Sequence, residues 1–260
     1  MNERKNDLFK QNVDAFSNAL CKVREKGDDR FLLWFNNSES EEQSFIRGAW
    51  DFSFYFVTPT VCRFISNPEQ KCCLEIGYGG GRLLNASRSY FKHSYGVDVH
   101  SFHDLVTQKL LERSPARDFT LFNLDNCKIP IADESLDYIY SFIVIQHFYG
   151  LSILKEYLEE TTRTLKRGGI VNLFFADFAK YHQKLNRVYI ENIFKGFIEF
   201  PQSPNAETAY NTLWVSRRWI RDTLLNLNFK VVEFKDAYKA VPDGYPGTPG
   251  SQSGVLAIKL

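Results

Sequence analysis

Cys72-Cys73-Leu74-Glu75-Ile76-Gly77-Tyr78-Gly79-Gly80-Gly81-Arg82-Leu83-Leu84 is the stretch on which the fold turns. Lys71 to Ile76 is a short, mostly apolar run that suits a buried strand. It stops at a burst of glycines. From Arg82 to Tyr90 the apolar spacing is helical. A buried strand, a glycine turn and a helix open an α/β nucleotide-binding unit. The glycines permit positive φ and let a ligand approach the main chain. The first turn of the helix offers unpaired N–H groups to that ligand. The spacing narrows the ligand. A dinucleotide fingerprint, G-x-G-x-x-G counted from Gly77, needs glycine at position 82, where Arg82 stands. The pattern present is Glu75-x-Gly77-x-Gly79-x-Gly81, with an acid two residues before the first glycine.

The remainder of the chain is that of an ordinary globular protein. It has 260 residues, 44% hydrophobic and 24% charged, enough for a full core in one α/β domain with an appended element. Its 32 basic and 31 acidic residues leave a net charge of +1, which argues against a polyanion-binding surface and hence against nucleic acid as a partner. Arg217, Arg218 and Arg221 read as a solvated helix face. The cysteines are Cys21, Cys62, Cys72, Cys73 and Cys127, an odd number without zinc-ligand spacing. Cys72 and Cys73, neighbours on a strand, point to opposite faces. A reducing cytoplasmic location is therefore expected, with no disulfide framework. The N-terminus leads into no apolar signal core, and no run approaches a membrane span, so no membrane partner is expected.

Taken in order, Phe9, Val13, Phe16, Leu20 and Val23 predict an amphipathic helix ending near Gly27. Ser38 or Ser40 can cap a second helix through Trp50. The aromatic stretch Trp50 to Phe56 follows, then a helix from Pro59 to Ile65. Residues 1–69 form an N-terminal helical cap on this reading, and 70–260 the main domain. The aromatic stretch either packs into the core or lies over a ligand pocket. Ser94 to Val99 is the second strand, and Asp98 near its end can accept both hydroxyls of a ribose or simply cap a helix. Phe119 to Leu124 is the third strand; Asp125, beside Asn126, can accept a bond from an exocyclic amino group such as adenine's. Tyr138 to Val144 is the fourth, closed by Ile145-Gln146-His147-Phe148. A helix over 151–165 ends in Lys166-Arg167-Gly168-Gly169, read as its C-cap turn. Ile170 to Phe175 is the fifth strand. Residues 177–213 are too long for an ordinary connection and carry aromatic residues; a substrate lid is the leading reading, with a homo-oligomer contact or a plain packing excursion as the alternatives. Ser216 can cap a helix through Leu227. Phe229 to Phe234, the glycine/proline loop 244–250 and Gly254 to Leu260 complete the chain.

Leu74-Glu75-Ile76-Gly77-x-Gly79-x-Gly81-Arg82, Gly96-Val97-Asp98, Ile129-Pro130-Ile131-Ala132-Asp133-Glu134-Ser135-Leu136-Asp137 and Leu165-Lys166-Arg167-Gly168-Gly169 follow one another in the chain. In order and spacing they resemble the motifs of the class I S-adenosylmethionine-dependent methyltransferases, of the small-molecule, type 11-like kind. The resemblance covers residues 71–176 firmly and the C-terminal part loosely. Tyr78 and Arg167 depart from the usual pattern, where a small residue or cysteine and a proline are common. The resemblance implies a Rossmann-like, seven-stranded α/β sheet of order 3-2-1-4-5-7-6 with the last strand antiparallel. It implies S-adenosyl-L-methionine as cofactor and S-adenosyl-L-homocysteine as product. Gly77, Tyr78, Gly79 and Gly81 would flank the methionine part, and Glu75 would orient its amino group with help from backbone at Phe142 or Ile143. Asp98, with Val99 beside it, would bind the ribose, and Asp125 and Asn126 would flank the adenine.

The expected reaction is methyl transfer to an O or N atom of a small, partly apolar or aromatic molecule. His147, at the edge of the crevice, is the candidate base, with a purely pocket-shaping role as the alternative. Asp177, after the fifth strand, is a weaker candidate. No carboxylate and amide cluster surrounds it in sequence, so no metal is expected. Other readings are a catalytically silent cofactor-binding partner subunit, a protein or RNA methyltransferase, and a nicotinamide oxidoreductase, which Arg82 disfavours.

Overall fold

A computed structural model of the chain describes residues 2–27, 30–31, 34–35, 40–116, 118–181, 186–200, 211–237 and 252–260. Helix α1 (Asn2–Arg24) is followed by α2 (Glu41–Tyr55) and the short α3 (Pro59–Cys62). Ser40 caps α2, its hydroxyl accepting from the Gln43 amide at 3.2 Å; Ser38 lies outside the described residues. Strand β1 (Cys72–Ile76) leads through the glycine turn into α4 (Arg82–Ser87). Next come β2 (His93–Asp98), α5 (His103–Arg113), β3 (Phe119–Asn123) and β4 (Leu136–Ser141). A 3₁₀ turn over Ile145–His147 precedes α6 (Leu151–Thr164) and β5 (Leu165–Ala176). After α7 (Arg187–Asn192), strands β6 (Phe197–Glu199) and β7 (Leu213–Val215) pair as a small separate sheet. The last elements are α8 (Arg217–Asn226), β8 (Phe229–Asp236) and β9 (Gln252–Lys259).

The main sheet has the order β3-β2-β1-β4-β5-β9-β8. It is parallel from β3 to β5, and β9 runs antiparallel to both of its neighbours. Without the small hairpin β6–β7 this is the expected 3-2-1-4-5-7-6. The chain leaves β1 toward β2 and β3, then crosses back to β4 on the other side of β1. That reversal opens a crevice at the C-terminal ends of β1 and β4.

Side-chain alternation divides the sheet into two faces. Leu74, Ile76, Ile139, Val171 and Leu173 pack toward Ile153, Leu154 and Leu158 of α6 and Ile220 and Leu224 of α8. Cys73, Tyr138, Tyr140, Phe174 and Leu256 meet Phe52 and Tyr55 of α2, Phe56 just beyond it, and Leu83 and Ala86 of α4. Gly48 lets α2 cross the start of α4 at backbone contact, because a Cβ there would sit 2.3 Å from the Arg82 carbonyl oxygen. The aromatic stretch 50–56 is thus the last turn of α2 and its exit, with Phe52, Tyr55 and Phe56 buried in the core. It does not cover the crevice.

One further expectation is corrected. Lys166-Arg167-Gly168-Gly169 is not a helix C-cap. Leu165 is already extended and pairs with Leu136, and the register shifts before Tyr138 pairs with Ile170. Gly168, at φ +77°, makes the stretch a bulge within β5. The described part of 177–213 braces the turn after β4, where the Thr212 amide donates to the Gln146 carbonyl at 2.7 Å. Phe178, Tyr189 and Ile193 line a depression against α6 and α8, away from the crevice. Residues 182–185 and 201–210 of that segment, and the glycine/proline loop 244–250, lie outside the described residues. No described helix is long and apolar enough to cross a membrane.

Candidate active site

The glycine turn is shaped by three left-handed residues, Gly77 at φ +77°, Gly79 at +52° and Gly81 at +81°. Gly77 also has no room for a side chain. A Cβ there would lie 2.2 Å from Cγ2 of Val144, in the loop that follows β4. The Gly77 amide donates to the Val97 carbonyl at 2.8 Å, which ties the turn to β2.

Asp98, the last residue of β2, is 7% exposed and fastens the turn from the other side. One carboxylate oxygen accepts from the Gly79 amide at 2.8 Å and the other from the Val99 amide at 2.7 Å. The Gly79 carbonyl lies 3.0 Å from Nε2 of His100. Since the Phe102 amide donates to His100 Nδ1 at 3.2 Å, Nε2 carries the proton and donates to Gly79. The Gly79 peptide is therefore held at both its N–H and its C=O. His100 is wholly buried, with Tyr78 edge-on to its ring at 5.0 Å. Burial pushes the Tyr78 phenol well above its ordinary range.

Glu75 alternates to the α2 face of β1 and is 2% exposed. Burial is the main cause that raises its carboxyl from 4.5 to about 8, against the pull of the Arg82 guanidinium. The Tyr140 hydroxyl donates to its Oε2 at 3.4 Å. Arg82 begins α4, and its Nη1 donates to Oδ2 of Asp51 on α2 at 2.5 Å. Asp51 is fully buried, and Arg47, one turn earlier on α2, has its Nε 3.7 Å from the same oxygen. Burial first, then repulsion from Arg82, lowers the Arg47 pKa.

These elements enclose an elongated cavity with ≈ 890 Å³ of empty space, mouth included. Its floor carries Glu75, the turn Gly77–Gly80, Asp98 and Val99. Phe142, Ile143, Val144 and His147 come from the loop after β4. Ile143 is left-handed at φ +61°, an uncommon state for a β-branched residue. Helix α1 roofs the cavity with Phe9, Asn12 and Phe16, one face at helical spacing. Asn12 Nδ2 donates to the His147 carbonyl at 3.1 Å, which joins roof to wall.

Of the site residues expected from sequence, Glu75, Gly77, Tyr78, Gly79, Asp98, Val99, Phe142, Ile143 and His147 meet in this cavity. Gly81 does not line it; it caps α4 beneath Val106. Asp125 and Asn126 are exposed and do not line it either. They form their own turn, in which Asn126 Nδ2 donates to Asp125 at 2.6 Å and the Lys128 amide donates to Asn126 Oδ1 at 2.7 Å. Asp177 is a buried structural anion that accepts from Arg217 Nε, Ser253 Oγ and the Ala179 amide. Among the described residues no group of His, Cys, Asp or Glu is placed to hold a metal ion. The residues missed from sequence are Arg82, read there only as a missing glycine, Phe35, and the roof on α1. Periodicity marks Phe9 and Phe16 as an apolar face without saying what that face covers.

The two acids at the ends of β1 and β2 and the left-handed glycines between them suit a ligand with a ribose and an ammonium group. Residues 74–173 match the family model of a methyltransferase domain. Residues 74–173 therefore carry a methyltransferase domain, that of a transferase whose cofactor is S-adenosylmethionine. Among solved structures it is similar to an S-adenosylmethionine-dependent methyltransferase from Methanosarcina mazei, at 16% identity and TM-score 0.56 over 78% of this chain and 98% of that one. A Clostridium acetobutylicum S-adenosylmethionine-dependent methyltransferase gives 14% identity and TM-score 0.57, covering 82% and 94%. Phosphoethanolamine N-methyltransferase 2 of Haemonchus contortus, in complex with phosphomonomethylethanolamine and S-adenosylhomocysteine, gives 17% and 0.53, covering 90% and 60%. At these identities the likeness is one of fold. No curated protein matches the chain in sequence.

Proposed function

We propose that this protein transfers the methyl group of S-adenosylmethionine to an O or N atom of a small, uncharged, partly apolar or aromatic molecule. The observation that carries the reading is the make-up of the cavity. Two carboxyl groups and a glycine turn form its floor, while Phe9, Phe16, Phe35 and Phe148 form much of its other side, with His147 between. Arg82 alone among the described lining residues is Lys or Arg, and it faces Asp51. A phosphorylated acceptor such as the one in the Haemonchus structure would have only Arg82 to meet its charge among the described lining residues. A neutral acceptor fits the cavity.

Glu75 takes the ammonium of the methionine part, and Asp98 takes the ribose hydroxyls. The bound cofactor supplies an activated methyl group on a sulfonium, with a neutral thioether as leaving group. The protein's work is then alignment of the acceptor atom, which is worth several kcal/mol when two reactants are held in line. The aromatic walls exclude water from the nucleophile. His147 accepts the proton that an O–H or N–H acceptor gives up.

Calorimetric titration with S-adenosylmethionine, S-adenosylhomocysteine and NAD, repeated on Asp98→Ala, tests the cofactor site. Micromolar binding of the adenosyl ligands alone, lost in the variant, is expected. Preference for NAD, or no adenosyl binding, refutes it. An acceptor screen with neutral aromatic alcohols and amines against phosphorylated amines then tests the acceptor class.

A further inference from the structure

Resting on that reading of the cavity, we infer that Arg82, held in place by Asp51 of the N-terminal cap, receives the carboxylate of the cofactor's methionine end. The methionine part of the ligand is a zwitterion, and the floor of the cavity offers Glu75 to its ammonium. Its carboxylate needs a cation close by. Arg82 supplies the one guanidinium or ammonium group among the described residues that line the cavity.

The geometry leaves Arg82 free to act. A guanidinium has five N–H donors in a planar fork. Nη1 is bonded to Asp51, and the guanidinium carbon stands 5.8 Å from the centre of the ring of Phe142, whose backbone is one of the two expected to meet the methionine amino group. Arg82 makes no other hydrogen bond to a described residue. Its side chain is 10% exposed, and the residue lines the cavity. Asp51 fixes one edge of the fork and leaves the other for a second carboxylate, a geometry guanidinium groups match well.

Asp51 is the positioning residue in this arrangement. It is 0% exposed on α2, and α2 reaches Arg82 because Gly48 admits the α4 backbone. The cap residues therefore help to complete the cofactor site, although they lie 31 positions from the arginine they hold.

The test compares two ligands that differ only in the carboxylate: S-adenosylhomocysteine and its decarboxylated analogue, which keeps the ammonium. Wild type is expected to bind S-adenosylhomocysteine about 10- to 100-fold more tightly, the range of a charge-assisted pair. In Arg82→Gln that ratio falls toward one, while affinity for the decarboxylated analogue stays within about threefold. Arg82→Lys, which keeps the charge without the fork, retains part of the ratio. Asp51→Asn lowers the ratio without abolishing analogue binding, an effect a purely structural role would not produce. A wild-type ratio near one, or a ratio unchanged in Arg82→Gln, overturns the inference. Wild type that binds neither ligand refutes the cofactor reading itself, a distinct outcome. If Arg82→Gln fails to fold, the wild-type ratio and Arg82→Lys still decide.

Discussion

Gly77→Ala separates two ways in which a glycine can be required. At φ +77° an L-residue pays about 1–2 kcal/mol for the left-handed conformation. An alanine at this position would also place its Cβ 2.2, 2.8 and 3.1 Å from three carbons of Val144, so that side chain and its loop must move. Overpacking of this kind costs about 1–3 kcal/mol. Loss of unfolded-chain freedom offsets the total by about 0.4–1 kcal/mol, which leaves a destabilisation of roughly 2–4 kcal/mol. The chain contains its own control. Gly168 has the same φ of +77°, and a Cβ there would meet nothing within 4 Å. Gly168→Ala therefore carries the conformational cost alone, about 1 kcal/mol or less after the same offset. Urea unfolding of both variants at equal m-value measures the two costs. Binding of S-adenosylhomocysteine should weaken only in Gly77→Ala, because Val144 borders the cavity. Equal stabilities within about 0.5 kcal/mol, with binding intact in both, would refute the claim that Val144 forbids a side chain at position 77.

The remaining predictions concern the charged and catalytic groups. Burial raises Glu75 from 4.5 to about 8, so its contribution to stability is full below pH 4.5 and is lost as pH rises through 8; subtracting a Glu75→Gln urea series from the wild-type series should reveal that decline, and a flat difference would count against a buried neutral carboxyl. Asp51→Asn removes the fully buried counterion of Arg82 and should cost about 3–5 kcal/mol; a loss below about 1 kcal/mol in urea unfolding would mean that the pair is not desolvated. His147→Ala should keep S-adenosylhomocysteine affinity and slow single-turnover methyl transfer by about 10²–10⁴ once an acceptor is in hand. Unchanged transfer would leave His147 as a wall of the pocket.

What was legible in the sequence had local causes. Glu75-x-Gly77-x-Gly79-x-Gly81 encodes a strand, a left-handed turn and a helix start within one short stretch, and each glycine is needed where it stands. Asp98 was legible because it ends the strand beside that turn. The alternation of Leu74 and Ile76 against Cys73 and Glu75 already divides the sheet into faces. Lys166-Arg167-Gly168-Gly169 misled for the same reason: its turn chemistry is local and genuine, but the turn is a bulge inside β5, decided by pairing with β4. Asp125 and Asn126 sit at the right place in the order of elements, yet they bond one another and the Lys128 amide and are not among the residues that line the cavity.

The parts that stayed hidden are contacts between distant segments, and they share one character. A helical stripe such as Phe9, Asn12 and Phe16 reveals that α1 has a face, but only the assembled chain shows that this face roofs the crevice and that Asn12 reaches the carbonyl of His147, 135 positions away. Arg82 in sequence is an interruption of a glycine pattern. Beside Asp51 it becomes a fixed cation in a cavity whose floor is acidic. The helices before β1 therefore do more than cover an α/β unit that is complete without them. On the inference above, one closes the site from above and the other supplies the carboxylate that orients Arg82. On the proposed reading, the adenosine and methyl group lie at the sheet's C-terminal edge, while α1 and α2 shape the space and charge around them. Acceptor choice should accordingly follow the roof on α1, where Phe9, Asn12 and Phe16 meet the cavity, more than the glycine turn.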